Sequence, residues 1–267
     1  FDNKIYYHGD IETNAFEIRF SNDGTKMYIL GYGNDRIYQI TLTTPWDLDG
    51  AIYNGRYYQI KVTGDPGQEG TATGFDFSWD GRKMFLIGQD RDCIFEYNLS
   101  APWEITSAGI NTTSRLAINA DGNYYVGAGK SFSFQSRESS GTSIAISTDG
   151  RYAYVLGNDY DRVRGWYMST PWDVSTISLG STLNLAKYVG ELETSPRGLP
   201  FGIGGTTMYI VGVSSYRVHQ YDMTSANKWN IGLSTIANKY TARFDRQLQF
   251  DGGLRLDRKS TRLNSSH

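Results

Sequence analysis

The chain has 267 residues, 39% of them hydrophobic and 20% charged, and a formal net charge of −2. No uninterrupted apolar run of about 18 residues occurs, so no segment reads as a membrane span. A mildly acidic chain without a basic stripe also excludes nucleic acid as a backbone-bound partner. Cys93 stands alone, which excludes an internal disulfide and a cysteine-based zinc site, and it reads as a small buried strand residue. Aromatics at 14% together with 30 Gly point to an all-β chain with many tight turns.

In chain order, Lys4–Ile11 reads as a strand left over from a preceding unit. A strand then runs through Ile18 and Phe20 into the turn Asp23-Gly24, and a second passes Tyr28-Ile29 to Gly31. A third opens at Ile37 and closes at Pro45-Trp46, and a fourth is expected over Arg56–Val62. The same order returns with Asp80, Asp149 and Gly204 in the place of Asp23.

The register is strict. Three residues before the anchor stand Phe20, Phe77, Ile146 and Phe201; five before stand Ile18, Phe75, Ile144 and Leu199, the alternation of a strand with one buried face. Eight after stand Gly31, Gly88, Gly157 and Gly212, and fourteen after stand Ile37, Ile94, Val163 and Val218. Pro45-Trp46, Pro102-Trp103 and Pro171-Trp172 close three units, the fourth keeping a shifted Trp229. Asp-Gly and Gly-Gly suit hairpin turns that need positive φ. The second unit carries extra residues around Arg115–Gly127, a further fourth strand is read at Ala186–Leu192, and Gln247–Gly253 reads as the start of a fifth unit near Asp251.

Each unit is therefore four antiparallel strands, with apolar side chains on both faces of the middle ones, as in Met27-Tyr28-Ile29-Leu30. Radial stacking buries both faces of such sheets, which makes a β-propeller the expected fold. Residues 1–256 are read as about four and a half blades of a ring of six to eight. Residues 257–267 read as the translation of a sequencing-library adaptor, expected to be disordered and outside the fold.

The stretches Phe20-Ser21-Asn22-Asp23-Gly24-Thr25-Lys26-Met27-Tyr28-Ile29 and Ser195-Pro196-Arg197-Gly198-Leu199 resemble YVTN-type and lactonase-like propeller repeats. The unit with Ser169-Thr170-Pro171-Trp172-Asp173 is similar to propeller repeats of marine phage and bacterial metagenomic surface or virion proteins. The resemblance covers residues 1–256 and implies a propeller, displayed extracellularly or on a virion surface. It implies little about activity, because propellers host many unrelated roles.

One polar recurrence stands out. A glutamate lies eleven residues before each anchor (Glu12, Glu69, Glu138, Glu193), and an arginine thirteen after in three units (Arg36, Arg162, Arg217), with Asp92 and the adjacent Arg91 in the second. Both positions fall on the face opposite the Asp-Gly turns. They are expected to form inter-loop ion pairs fixing blade orientation, or a charged rim binding a protein or carbohydrate ligand. No cofactor is expected; loop carboxylates would suit Ca²⁺, yet no calcium-loop spacing occurs. The Pro-Trp tryptophans read as wedges between blades before sugar-stacking platforms, and Asp47 and Asp173 as caps of their own turns. His8, His219 and His267 do not assemble a triad, and Gly202-Ile203-Gly204-Gly205 lies between strands, unlike a phosphate loop.

Two readings follow. The first is a non-catalytic binding or structural propeller with a symmetric rim. The alternative is a metal-dependent lactonase-like hydrolase, in which one blade's channel-facing residues depart from the others and gather acidic groups at the channel mouth.

Overall fold

Apolar residues on both faces of short alternating strands leave each sheet two surfaces to cover, and the computed structural model shows how they are covered. It describes residues 4–60, 69–107, 117–118, 124–125, 130–134, 139–178, 181–184, 195–202, 207–213 and 216–222. Blade 1 is β1 (Ala15–Phe20), β2 (Lys26–Gly31), β3 (Arg36–Leu42) and β4 (Ala51–Gln59), hydrogen-bonded in that order. Blade 2 joins β5 (Ala72–Phe77), β6 (Lys83–Gly88) and β7 (Cys93–Asn98) to β10 (Lys130–Ser133), after a separate hairpin of β8 (Ala117–Ile118) and β9 (Tyr124–Tyr125). That hairpin occupies the insertion read from the repeat lengths.

Blade 3 is β11 (Gly141–Ile146), β12 (Tyr152–Gly157), β13 (Arg162–Tyr167) and β14 (Ser181–Asn184), and the fourth sheet is β15 (Pro196–Arg197), β16 (Thr207–Gly212) and β17 (Val218–Asp222). All pairings are antiparallel. The first strands pack side by side, β1 on β5, β5 on β11 and β11 on β15, so they line the axis of the stack. The fold is a β-propeller of four-stranded antiparallel blades.

The core lies between blades. Leu30 and Ile37 of blade 1 pack on Phe75, Met84 and Leu86 of blade 2; Ile87 and Ile94 pack on Ile144 and Val155 of blade 3; Leu156 and Val163 pack on Leu199 and Ile210 of the fourth sheet. Each of these side chains is fully buried. Full burial of one Leu or Ile is worth about 1.5–3 kcal/mol, so the three junctions outweigh anything a lone sheet would retain.

The Asp-Gly turns form one repeated module. Ser21, Ser78 and Ser147 each donate a hydroxyl to the following Asp23, Asp80 or Asp149, and that carboxylate accepts the N–H two residues on. Gly24, Gly81 and Gly150 take φ of +70°, +66° and +69°. The Pro-Trp turn of the same blade then closes over the glycine: Trp46, Trp103 and Trp172 donate their N–H to its carbonyl at 2.9, 2.8 and 2.8 Å, and a Cβ on the glycine would lie inside the indole.

The tryptophans are thus seated on their own blade, a correction to their reading as wedges between blades. Positive φ at the glycine leaves a bare surface for the indole, while the Trp carbonyl faces the preceding blade, where Lys26 and Tyr28 bond Trp103 and Lys83 bonds Trp172. Asp47 and Asp173 cap short 3-10 turns as expected. The fourth strand of blade 1 begins earlier than read, and that of blade 3 is Ser181–Asn184; Ala186–Leu192 lies outside the described residues, as do Gly204, Trp229, Gln247–Gly253 and 257–267. Cys93 opens β7 and is half-buried. Lys4–Ile11 is not a strand, but Tyr6 and Ile11 pack on the core of blade 1.

Candidate functional site

Glu12 and Glu69, the two of the repeated glutamates among the described residues, accept backbone amides. Glu12 is buried; its Oε1 accepts the N–H of Asn14 at 2.7 Å and of Gly33 at 3.3 Å. Glu69, also buried, accepts the N–H of Thr71 at 3.0 Å, Asp90 at 2.9 Å and Arg91 at 3.3 Å. Each carboxylate thus ties the loop entering the blade to the turn joining its second and third strands. Space comes from the invariant glycine, since a Cβ on Gly31 or Gly88 would collide with the carboxylate beside it.

Burial raises the Glu69 carboxyl above its ordinary range, opposed by the three amides. Arg36 instead donates to Gln59 at 2.8 Å and lies 4.0 Å from the centre of the Tyr57 ring; Arg162 lies 5.2 Å from the Tyr160 ring. Arg217 is half-buried beside β17. The expected ion pairs give way, for Glu12 and Glu69, to backbone clamps, because short loops present N–H groups closer than any guanidinium. Glu138 and Glu193 lie outside the described residues.

The polar centre of the described residues is on the axis. Positions six and four before the anchor point inward from the first strands, and there the blades differ: Glu17 and Arg19 in the first, Gly74 and Asp76 in the second, Ser143 and Ala145 in the third, Gly198 and Pro200 in the fourth. Arg19 pairs with Glu17 at 2.6 Å and with Asp76 at 3.6 Å, and donates to the Ile144 carbonyl at 3.0 Å. Glu17 accepts the Phe75 N–H at 2.8 Å and the Ser143 hydroxyl at 2.9 Å. Asp76 accepts the N–H of Ile146 at 2.8 Å and of Phe77 at 2.9 Å.

First strands have one edge without a strand partner, and these carboxylates satisfy its N–H groups from the blade before. Burial pushes the Glu17 carboxyl from 4.5 up to about 7, against the pull of Arg19, and raises Asp76 as well. Search for recurrence misses this group because it breaks the recurrence. The signal in the sequence was the blade-to-blade variation at two inward positions of an otherwise repeated strand.

Arg19 and Asp76 form the floor of a pocket of about 540 Å³ that opens on the Asp-Gly turn face. Its walls repeat the positions three and one before the anchor: Phe20, Phe77, Ile146 and Phe201, with Asn22, Trp79 and Thr148. Trp46 and Trp103 complete the rim. Trp46 and Trp79 are 60% and 61% exposed, large indole faces left open to solvent. Arg19 and Asp76 are the charged residues among the described lining, and Arg19 is shared between Asp76 and the more closely paired Glu17.

Among the described residues, no group of three or more His, Cys, Asp or Glu side chains converges. Among the same residues, no helix is long and apolar enough to cross a membrane.

No family model matches the chain, and no curated protein does. Solved structures similar to it include a putative 6-phosphogluconolactonase from Bacteroides fragilis, at a TM-score of 0.50 and 13% identity over 79% of this chain and 51% of that one. A putative 6-phosphogluconolactonase from Bacteroides uniformis gives 0.49 and 13% over the same shares. The Swd1 β-propeller domain of Myceliophthora thermophila gives 0.44 and 15% over 79% and 54%. At such identities the likeness is one of fold, and the chain spans about half the length of these proteins.

Proposed function

We propose that the chain is a ligand-binding propeller module whose turn-face channel mouth holds a neutral, flat-faced, hydroxyl-bearing ring, such as a unit of a carbohydrate. One observation carries this reading: a pocket walled by Trp46, Trp79 and Trp103, whose floor charges, Arg19 and Asp76, are already engaged with each other and with Glu17. Aromatic faces take the apolar face of such a ring, while Asn22, Ser78, Thr148 and the free lone pairs of Asp76 serve its hydroxyls. An anionic ligand would have to draw Arg19 away from Glu17 and Asp76. The virion or cell-surface setting implied by the repeat resemblance belongs to the same proposal, since such modules meet glycans there.

A lactonase-like hydrolase is the second reading. The asymmetric acidic pair Glu17 and Asp76 favours it, as does the name of the Bacteroides fragilis neighbour. Both carboxylates are engaged by backbone amides and Arg19, which supports binding ahead of turnover.

Tryptophan fluorescence titration across a panel of neutral saccharides tests the proposal. A binding saccharide is expected to quench emission, and Trp79→Ala to weaken it at least about fivefold, with Tyr216→Ala, 91% exposed and away from the pocket, as the neutral control. Equal affinity in Trp79→Ala would remove the pocket from the account.

A further inference from the structure

Asn54 and Gly55 are the one Asn-Gly pair of the sequence, and they stand at a break in the outermost ladder of blade 1. Tyr53 pairs with Ile40 and Tyr57 with Tyr38, so Asn54, Gly55 and Arg56 together face the single residue Gln39. A bulge of this kind lifts its residues out of the hydrogen-bonded ladder. β4 is also the last strand of its sheet, and all three residues of the bulge are exposed.

The residues on either side of the break are held by the next blade. Gln39 is buried and bonds Glu104 and the Ile105 N–H, each at 3.1 Å, while Arg56 reaches the same Glu104 at 2.6 Å. Asn54 and Gly55 between them are open. Gly55 takes φ of +81°, and a Cβ there would meet nothing within 4 Å. Among the described residues, no group holds the Asn54 side chain. Asn22 and Asn34 are exposed as well, but their amides are tied: Asn22 donates to the Trp79 carbonyl, and Asn34 to the Ile11 carbonyl and the Tyr38 hydroxyl.

An asparagine before glycine can close on the chain. The Gly55 nitrogen attacks Asn54 Cγ; the new N–Cγ bond displaces Nδ2 as ammonia and leaves a succinimide ring. Water then opens the ring without any change of oxidation state. Addition at Cγ gives aspartate, and addition at the main-chain carbonyl gives isoaspartate, whose backbone path is one carbon longer. Glycine favours closure because no Cβ shields its nitrogen and its dihedrals are free. Strand pairing opposes closure by fixing the backbone and engaging the amide, and the bulge removes that restraint.

We propose that Asn54-Gly55 is a self-modification site, converted by water to aspartate and isoaspartate while the protein stays folded. The bulge has no register to lose, so it accommodates the longer isoaspartyl backbone that a paired strand would not. Either product adds a carboxylate two residues before Arg56. A slow, irreversible step thus puts a negative charge at the outer edge of the junction that Arg56 and Glu104 span.

Incubation of the folded protein at pH 8 and 37 °C, followed over weeks by peptide mass mapping, reads the conversion. Both products are expected at Asn54, at a rate within about threefold of that in the chain unfolded by guanidinium chloride. Folding is expected to slow Asn34 at least about tenfold under the same conditions. Gly55→Ala, with its fold checked by circular dichroism, should slow conversion of Asn54 at least about tenfold. An Asn54 that stays intact in the folded protein while the unfolded chain converts overturns the inference. So does equal slowing of Asn54 and Asn34 by folding, or a folded Gly55→Ala variant that converts as fast as its parent.

Discussion

Glu17 on the first strand of blade 1 accepts the backbone N–H of Phe75 on the first strand of blade 2 at 2.8 Å, and holds Arg19 at 2.6 Å with its other oxygen. The bond joins two blades at the axis and makes their association depend on protonation. Below about pH 4.5 the carboxyl is neutral whether the chain is folded or not. As pH rises, the unfolded chain ionises first, and the folded form carries a growing penalty until pH passes about 7. Stability is therefore expected to fall between pH 5 and 7 by at most roughly 3 kcal/mol from this group. Asp76, also raised by burial, adds to the same slope. Urea unfolding at pH 5, 6 and 7 should show the decline, and Glu17→Gln should flatten it; a slope unchanged in the variant would assign it to other groups.

Glu69 offers a test of the clamp. Its carboxylate accepts three backbone N–H groups in a fully buried setting. Glu69→Ala leaves all three without an acceptor and is expected to cost about 2–4 kcal/mol. Glu69→Gln keeps one acceptor oxygen and should cost less. Chemical denaturation ranks them, and an alanine variant within about 0.5 kcal/mol of the parent would deny the clamp its structural weight.

The blade plan was legible because packing between identical units repeats its demands: Ile37, Ile94, Val163 and the anchoring turns recur since each blade meets the next in the same way. The partners of Glu12 and Glu69 were not legible, although the paired recurrence of glutamate and of Gly31 and Gly88 held the clue. A glycine without a turn to make is room for something, and here it is room for the carboxylate. The tryptophans were misread for a related reason, since only the left-handed glycine reveals which surface an indole can cover. Arg19 and Asp76 escaped because they occur once each. On a symmetric scaffold such a group shows only where the symmetry lapses.

Gly81 and Gly55 separate backbone conformation from contact. Both have positive φ, +66° and +81°, but a Cβ on Gly55 meets nothing within 4 Å, while one on Gly81 would enter the Trp103 ring. Gly55→Ala is expected to lose about 1 kcal/mol from the left-handed conformation alone. Gly81→Ala should lose at least about 2 kcal/mol, because the indole must leave its seat. Thermal unfolding distinguishes them; equal losses would mean that the Trp103 seat contributes nothing.

The first two junctions carry their acid on different blades, and this predicts a rescue. Between blades 1 and 2, Lys26 reaches across to Glu104 at 2.6 Å while the neutral Gln39 accepts the Ile105 N–H. Between blades 2 and 3, Lys83 pairs at 2.5 Å with Glu96 of its own blade, which also accepts the Val174 N–H, and the position of Glu104 is the shorter Asp173. Glu96→Gln reproduces Gln39 but strips Lys83 of its carboxylate in a buried junction, an expected loss of about 2–3 kcal/mol. Adding Asp173→Glu supplies the longer acid from the far side, as Glu104 does for Lys26, and should recover at least about 1 kcal/mol in a double-mutant cycle. Asp173→Glu alone should lose about 1 kcal/mol, since Lys83 is already paired and the aspartate caps its own 3-10 turn. Strictly additive losses in the cycle would show that the two junctions are not interchangeable solutions to the same contact.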